Sequence, residues 1–139
     1  MNINHMFEES IRNIMHRDDR YASDAYFFMK EALDYAIKEY REKNKSPHHL
    51  SAAELLDAIV KYAFETFSPY LAGTVLREWG ITETMDFGNI VYNLIDEQIF
   101  SASAEDSPDD FKDVFDFEKV FEEPLKTSKA QKHTPHFIE

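Results

Sequence analysis

Leu50-Ser51-Ala52-Ala53-Glu54-Leu55-Leu56, followed by Ser68-Pro69 and closed by Trp79-Gly80-Ile81, decides how this chain folds. Ser51 and Glu54 stand at the spacing of a capping box, in which each side chain satisfies the other residue's free backbone N–H. Leu50 and Leu55 flank the box at the positions of a hydrophobic staple. Leu55, Leu56, Ile59, Ala63 and Phe67 recur every three or four residues, which predicts a helix over 51–67 with one buried face. Ser68-Pro69 predicts a stop and a restart, with Ser68 as cap and Pro69 at the first helical position, where a missing N–H costs nothing. Leu71, Ala72, Val75, Leu76 and Trp79 form the expected core face of this next helix, 69–79. Gly80 stands where a positive φ is needed, and Ile81 is placed to reach back to Leu76 in a Schellman ending.

Downstream, a helix is expected over 84–98, with Asp86 in the first turn, where the helix dipole favours negative charge. Phe87, Ile90, Val91, Leu94 and Ile95 make its apolar stripe, and Gly88 inside it suggests a close helix crossing. Upstream, Phe7, Ile11, Ile14 and Met15 predict a helix over 4–17. Ser23 caps a longer one over 23–43, in which Tyr26, Met29, Leu33, Ile37 and Tyr40 form one stripe. Phe28, Ala32 and Tyr35 form a second stripe, so this helix is expected to be contacted on two sides. Ser46-Pro47 marks its end.

Beyond Gln98 two readings stand open. Ile99–Ser103 and Phe111, Phe115, Phe117 suit a short hairpin around the acidic turn Glu105–Asp110. Alternatively, Asp116 caps a short helix carrying Phe117, Val120 and Phe121 and ended by Pro124. The fold class is therefore mostly α, with about five helices in one compact acidic domain over 1–125. A polar, mildly basic tail over 126–139 is expected to be mobile. Three helices and a hairpin across 51–117 would follow winged-helix order, but fold does not fix function.

The net charge is −12, unevenly spread. Residues 1–50 hold eight Lys/Arg against nine Asp/Glu, 51–100 two against eight, 101–125 two against nine, and 126–139 three against one. An acidic body repels phosphate backbones, so direct nucleic-acid binding is not expected. The helix 84–98 offers no Lys or Arg where a winged helix would read DNA. The chain has no cysteine, which removes disulfides, thiolate metal sites and cysteine nucleophiles. Met1-Asn2-Ile3-Asn4-His5 is not a basic start followed by an apolar block, and no apolar run reaches the roughly 20 residues of a membrane span. Cytoplasm and no membrane association are expected.

Site chemistry is sparse. There is no His-Glu-x-x-His, no Glu-x-x-His and no Gly-x-Ser-x-Gly, and the three glycines, Gly73, Gly80 and Gly88, make no phosphate-cradling loop. His48-His49 reads as polar loop, and the acidic run 106–118 lacks the spacing of a calcium loop. Carboxylates are too plentiful for any one pair to single itself out. Arg17-Asp18-Asp19-Arg20-Tyr21 reads as a helix connection with local ion pairs. No catalytic, cofactor-binding or metal residue is expected.

Several segments resemble a small bacterial family known from planctomycetes and verrucomicrobia, catalogued as an uncharacterised conserved domain. They are Arg17–Tyr21, Ala25-Tyr26, Glu31–Tyr35, His49–Ser51, Glu54–Leu56, Val75–Ile81, Asp86–Val91, Asp110-Phe111 and Asp116–Glu118. The likeness covers about residues 7 to 123. It implies a stand-alone domain and brings no reaction, cofactor or partner.

The leading expectation is a non-enzymatic protein-interaction or regulatory module. Its acidic-aromatic surface would comprise Glu105, Asp106, Asp109, Asp110, Asp113, Asp116 and Glu118, interleaved with Phe111, Phe115, Phe117 and Phe121, and its partner would present a basic protein surface. The phenylalanines have a plainer role, packing the segment onto the helices. Two alternatives stand: a small enzyme or ligand-binding domain with a carboxylate pocket between helices, and a winged-helix nucleic-acid regulator. Oligomeric state is not legible in the residues.

Overall fold

The computed structural model describes residues 3–44, 50–101 and 106–121. Helices α1 (Ile3–Arg17), α2 (Ser23–Asn44), α3 (Ala52–Glu78) and α4 (Thr84–Asp96) lead to a 3₁₀ turn (Pro108–Phe111) and a short α5 (Phe117–Phe121). His48, His49, Glu105, Pro124 and the tail 126–139 lie outside the described residues. Among the described residues there is no strand, and no helix is long and apolar enough to cross a membrane.

The local signals around α3 act as their chemistry requires. Glu54 N–H donates to Ser51 Oγ at 3.1 Å and Ser51 N–H to Glu54 Oε1 at 2.8 Å, closing the capping box. At the other end Gly80 takes φ 96°, with Ile81 N–H donating to Leu76 O at 2.9 Å and Gly80 N–H to Arg77 O at 3.0 Å. That is the full Schellman pair, and Leu76 and Ile81 are both fully buried.

Between these ends α3 divides as expected, into two helices that meet at a kink at Ser68, where φ is 70° and ψ is 156°. Pro69 cannot donate to the preceding turn and disfavours helical geometry at the residue before it, so Ser68 leaves the helical region. The region it enters is one that glycine alone occupies freely, at a cost of about 1–3 kcal/mol for other residues. The bend also turns Leu71 outward, contrary to its expected core position: Leu71 is 58% exposed and Tyr70 49%. Ala72 and Leu76 keep the inward face.

The core forms where α2 is packed from two sides. Tyr26, Met29 and Leu33 are buried on one stripe and Phe28 and Ala32 on the other, joined by Leu56 and Ile59 of α3 and Phe87, Ile90 and Leu94 of α4. α1 adds Ile11 and Ile14. Phe28 stands among Tyr62, Phe67 and Trp79, with ring centroids 5.5, 5.5 and 5.6 Å away.

After α4 short helices replace the hairpin reading. Ser107 Oγ accepts from Asp109 N–H at 3.2 Å, Asp110 Oδ2 accepts from Ser107 N–H at 3.0 Å, and Pro108 opens the 3₁₀ turn. Asp116 Oδ1 caps α5, accepting from the N–H groups of Glu118 and Lys119 at 3.0 and 3.3 Å. Such local caps offer the backbone partners that a strand would have to find across a ladder. The winged-helix wing therefore has no strand over residues 106–121.

Candidate functional site

Two glycines on the helices receive the acidic segment. Gly88 of α4 lies under Phe111, so close that a Cβ there would stand 2.7 Å from Phe111 Cβ. The close neighbour is thus the 3₁₀ turn and not the crossing helix expected at Gly88. Gly73 of α3 plays the same part for α5, with Phe121 Cβ 3.0 Å from where its own Cβ would be. The Phe117 and Phe121 rings meet tilted, with centroids 4.6 Å apart, and Phe117 also packs near Phe87 at 6.3 Å. Phe111, Phe117 and Phe121 are buried and Phe115 is half-buried. The expected acidic-aromatic surface therefore loses three of its four rings to the core, and the exposed side of the segment keeps its carboxylates together with Lys112, Val114 and Lys119.

The carboxylates take the opposite side. Asp109, Asp110, Asp113, Asp116 and Glu118 are exposed and Asp106 is half-buried. Among the described residues, none of these five exposed carboxylates is ion-paired to Lys or Arg. Asp110 and Asp116 have one structural duty each, as caps. Asp113 sits at φ 52°, a left-handed position that Asp tolerates better than most residues. Val114 N–H, next to it, donates to the buried Thr84 Oγ1 at 3.2 Å, which ties the loop to the start of α4. The negative field reaches Tyr92, whose phenol is pushed up by burial and then by Asp106 and Asp110.

A second polar cluster was read from the sequence only as local ion pairs. Asp18 is held by Arg20 through Nε at 2.9 Å and Nη2 at 2.7 Å, and it also accepts from Asn93 Nδ2 of α4 at 2.9 Å. The same Asn93 amide donates to Tyr26 OH at 3.1 Å. The Tyr21 phenol donates to Asp86 Oδ1 at 2.5 Å and accepts from Asn89 Nδ2 at 2.9 Å. Asp86 Oδ2 meanwhile takes the N–H groups of Thr82 and Glu83. The Arg20 guanidinium hydrogen bond holds the Asp18 carboxyl well below the usual carboxylate range, against the opposing effect of burial. Burial, then the bond to Asp86, pushes the Tyr21 phenol up. The signal for α4's share was its polar stripe Asp86, Asn89 and Asn93, at helical spacing beside the apolar one.

This network sews the α1–α2 loop to α4, and its groups are consumed by one another. No buried side-chain nitrogen or oxygen among the described residues is left without a partner. Nor do three or more His, Cys, Asp or Glu among them gather as metal ligands. A further pair of carboxylates, Glu39 and Glu65, shares the Tyr35 phenol at 3.0 and 3.2 Å on the α2–α3 surface. Burial and these two acids raise that phenol to about 12. An open cleft of about 530 Å³ lies between α2 and the end of α4, lined by Ile37, Ile95, Gln98, Ile99, Phe100 and Ser101. It carries no charged side chain in its lining, so it does not correspond to the carboxylate pocket of the enzyme alternative.

Compared with family models, with curated proteins and with solved structures, the chain finds no match.

Proposed function

We propose that this protein is an interaction module whose acidic face, Asp106, Asp109, Asp110, Asp113, Asp116 and Glu118, docks on a basic protein surface. Glu105 belongs to the same run but lies outside the described residues. The observation that carries the reading is the division of labour within one short segment. Its phenylalanines are anchored inside, at Gly88 and Gly73, while its carboxylates are held outward on a tied backbone. Like charges kept close together on a surface repel one another, and a cationic partner or salt relieves that repulsion. Complementary charge acts mainly on the association rate and on partner choice. Cytoplasmic residence and a place in the planctomycete and verrucomicrobial family are part of the same reading, which involves no catalysis, cofactor, membrane or direct nucleic-acid contact.

The test uses Asp109→Asn, Asp110→Asn and Asp113→Asn together. Asn keeps an acceptor for the Ser107 N–H and suits the left-handed position at 113. Partners are recovered from the host by affinity purification, and association of the purified pair is followed by stopped flow at low and at physiological salt. The triple variant should associate more slowly, with the deficit largest at low salt. Equal rates at low salt would show that the face is only a solvated surface.

A further inference from the structure

Ser68 carries a backbone conformation that its side chain disfavours, at the kink where the two helices of α3 meet. Just after the bend the chain is loosely held, since Tyr70 and Leu71, the first side chains after Pro69, are 49% and 58% exposed, while just before it Phe67 stacks on Phe28 at 5.5 Å. The second half of α3 is held farther along. Gly73 receives Phe121, with the Phe121 carbonyl oxygen also 3.2 Å from where a Cβ would be. The Trp79 ring packs on Phe28 at 5.6 Å and on Phe67, across the bend, at 5.7 Å. Trp79 O accepts from Ala22 N–H at 3.1 Å, and the Arg20 carbonyl oxygen lies 2.6 Å from the Cβ position of Gly80.

We infer that Ser68 is a strained hinge, held in its bent state by α5 at Gly73 in the second half of α3 and by the α1–α2 loop at its far end, around Trp79 and Gly80. A disfavoured backbone conformation persists only where its surroundings over-determine it. The alternative state is the same helix with Ser68 outside the left-handed region and the second half swung off Phe28. Strain at Ser68 favours that state, and the seats of Phe121 and of the loop oppose it. Loosening one seat therefore shifts the balance and loosens the other, since both bear on a single two-state element. The acidic segment and the Asp18–Tyr21 loop are coupled through α3 whether or not the acidic face has a partner.

Trp79, the chain's single tryptophan, reports the hinge directly. In the full-length protein, Gly73→Ala places a methyl group against Phe121 and should move the Trp79 emission to longer wavelength and speed amide exchange at Ala22. Phe121→Ala, if it folds, should do the same more strongly. Ser68→Gly removes the strain and should cancel most of both changes in either background, whereas Ser68→Ala, which keeps a Cβ, should not. Circular dichroism establishes that each variant retains its helices. The hinge is refuted if folded Gly73→Ala leaves Trp79 emission and Ala22 exchange as in the parent. A shift of equal size with and without Ser68→Gly refutes it as well.

Discussion

Tyr21 and Asp86, 65 residues apart in the chain, share a hydrogen bond of 2.5 Å that ties the α1–α2 loop to the first turn of α4. Asp86 also accepts from the N–H groups of Thr82 and Glu83, so one carboxylate caps its own helix and anchors a remote loop. Tyr21→Phe removes the loop's share and leaves Asn89 Nδ2 without its phenol acceptor. A hydrogen bond to a charged group contributes about 1.5–3 kcal/mol, and partial burial puts this one toward the lower figure. Urea denaturation should show a lower midpoint at unchanged slope. An unchanged midpoint would mean that the loop is held by other contacts.

Acid should act through Asp18. Its folded pKa lies below the unfolded value, so its contribution is fully present above the unfolded pKa and is lost as pH falls through the folded one. Asp18→Asn should therefore be less stable than the parent at pH 7. The gap should begin to narrow below a pH of about 4, the ordinary range of an aspartate. Denaturation midpoints of both proteins across the acid range check this, and a gap that stays constant to the lowest pH at which both fold would contradict it.

Gly88→Ala sets two effects against each other. In an exposed helix the change would add about 1 kcal/mol of stability. Here the new Cβ would stand 2.7 and 2.8 Å from Cβ and Cγ of Phe111, in a core that resists overpacking at about 1–3 kcal/mol. Net destabilisation is expected, with loss of near-ultraviolet aromatic signal as Phe111 is pushed off α4. A stabilised variant would show that the 3₁₀ turn does not rest on this glycine.

Gln98 ends α4 as Gly80 ends α3. It takes φ 63°, and Ile99 N–H reaches back to Leu94 O at 2.9 Å. A side chain in the left-handed region costs about 1 kcal/mol, part of which glycine would return as chain entropy in the unfolded state. Gln98→Gly should raise the thermal midpoint by a few degrees, the shift expected from about 0.5–1 kcal/mol. A lower midpoint would mean that the Gln98 side chain makes a contribution worth more than the strain.

Duplex DNA should bind no more tightly than about 10⁻⁴ M at physiological salt, the weak end of non-specific association. The exposed carboxylates of 109–118 carry the wrong sign, and α4 has no Lys or Arg. Fluorescence anisotropy with a labelled duplex is sufficient. Micromolar, salt-sensitive binding that persists in a chain lacking 126–139 would reverse the assignment of the surface.

Helix ends were legible in the residues because capping chemistry is local. Ser51 with Glu54, and Gly80 with Ile81 and Leu76, act within a few residues of themselves, so spacing alone determined that a helix starts or stops there, while Asp116 before Phe117 marked one of two open readings. Ser68-Pro69 marked a break for the same reason. How the second helix is set against the first depends on what holds it, namely Phe121, Phe28 and the loop carbonyl of Arg20. Local caps at Ser107, Asp110 and Asp116 permit a 3₁₀ turn and a short helix, but their choice over a hairpin needed tertiary contacts as well. Phe111 and Phe121 needed seats, and Gly88 and Gly73 supply them from helices that periodicity could place but not orient. The same limit hid the loop network. Asp18 and Arg20 are neighbours and could be paired on sight, whereas Asn93 and Asp86 reach the loop only once α4 has packed beside α2, and no local spacing encodes a contact made across the fold.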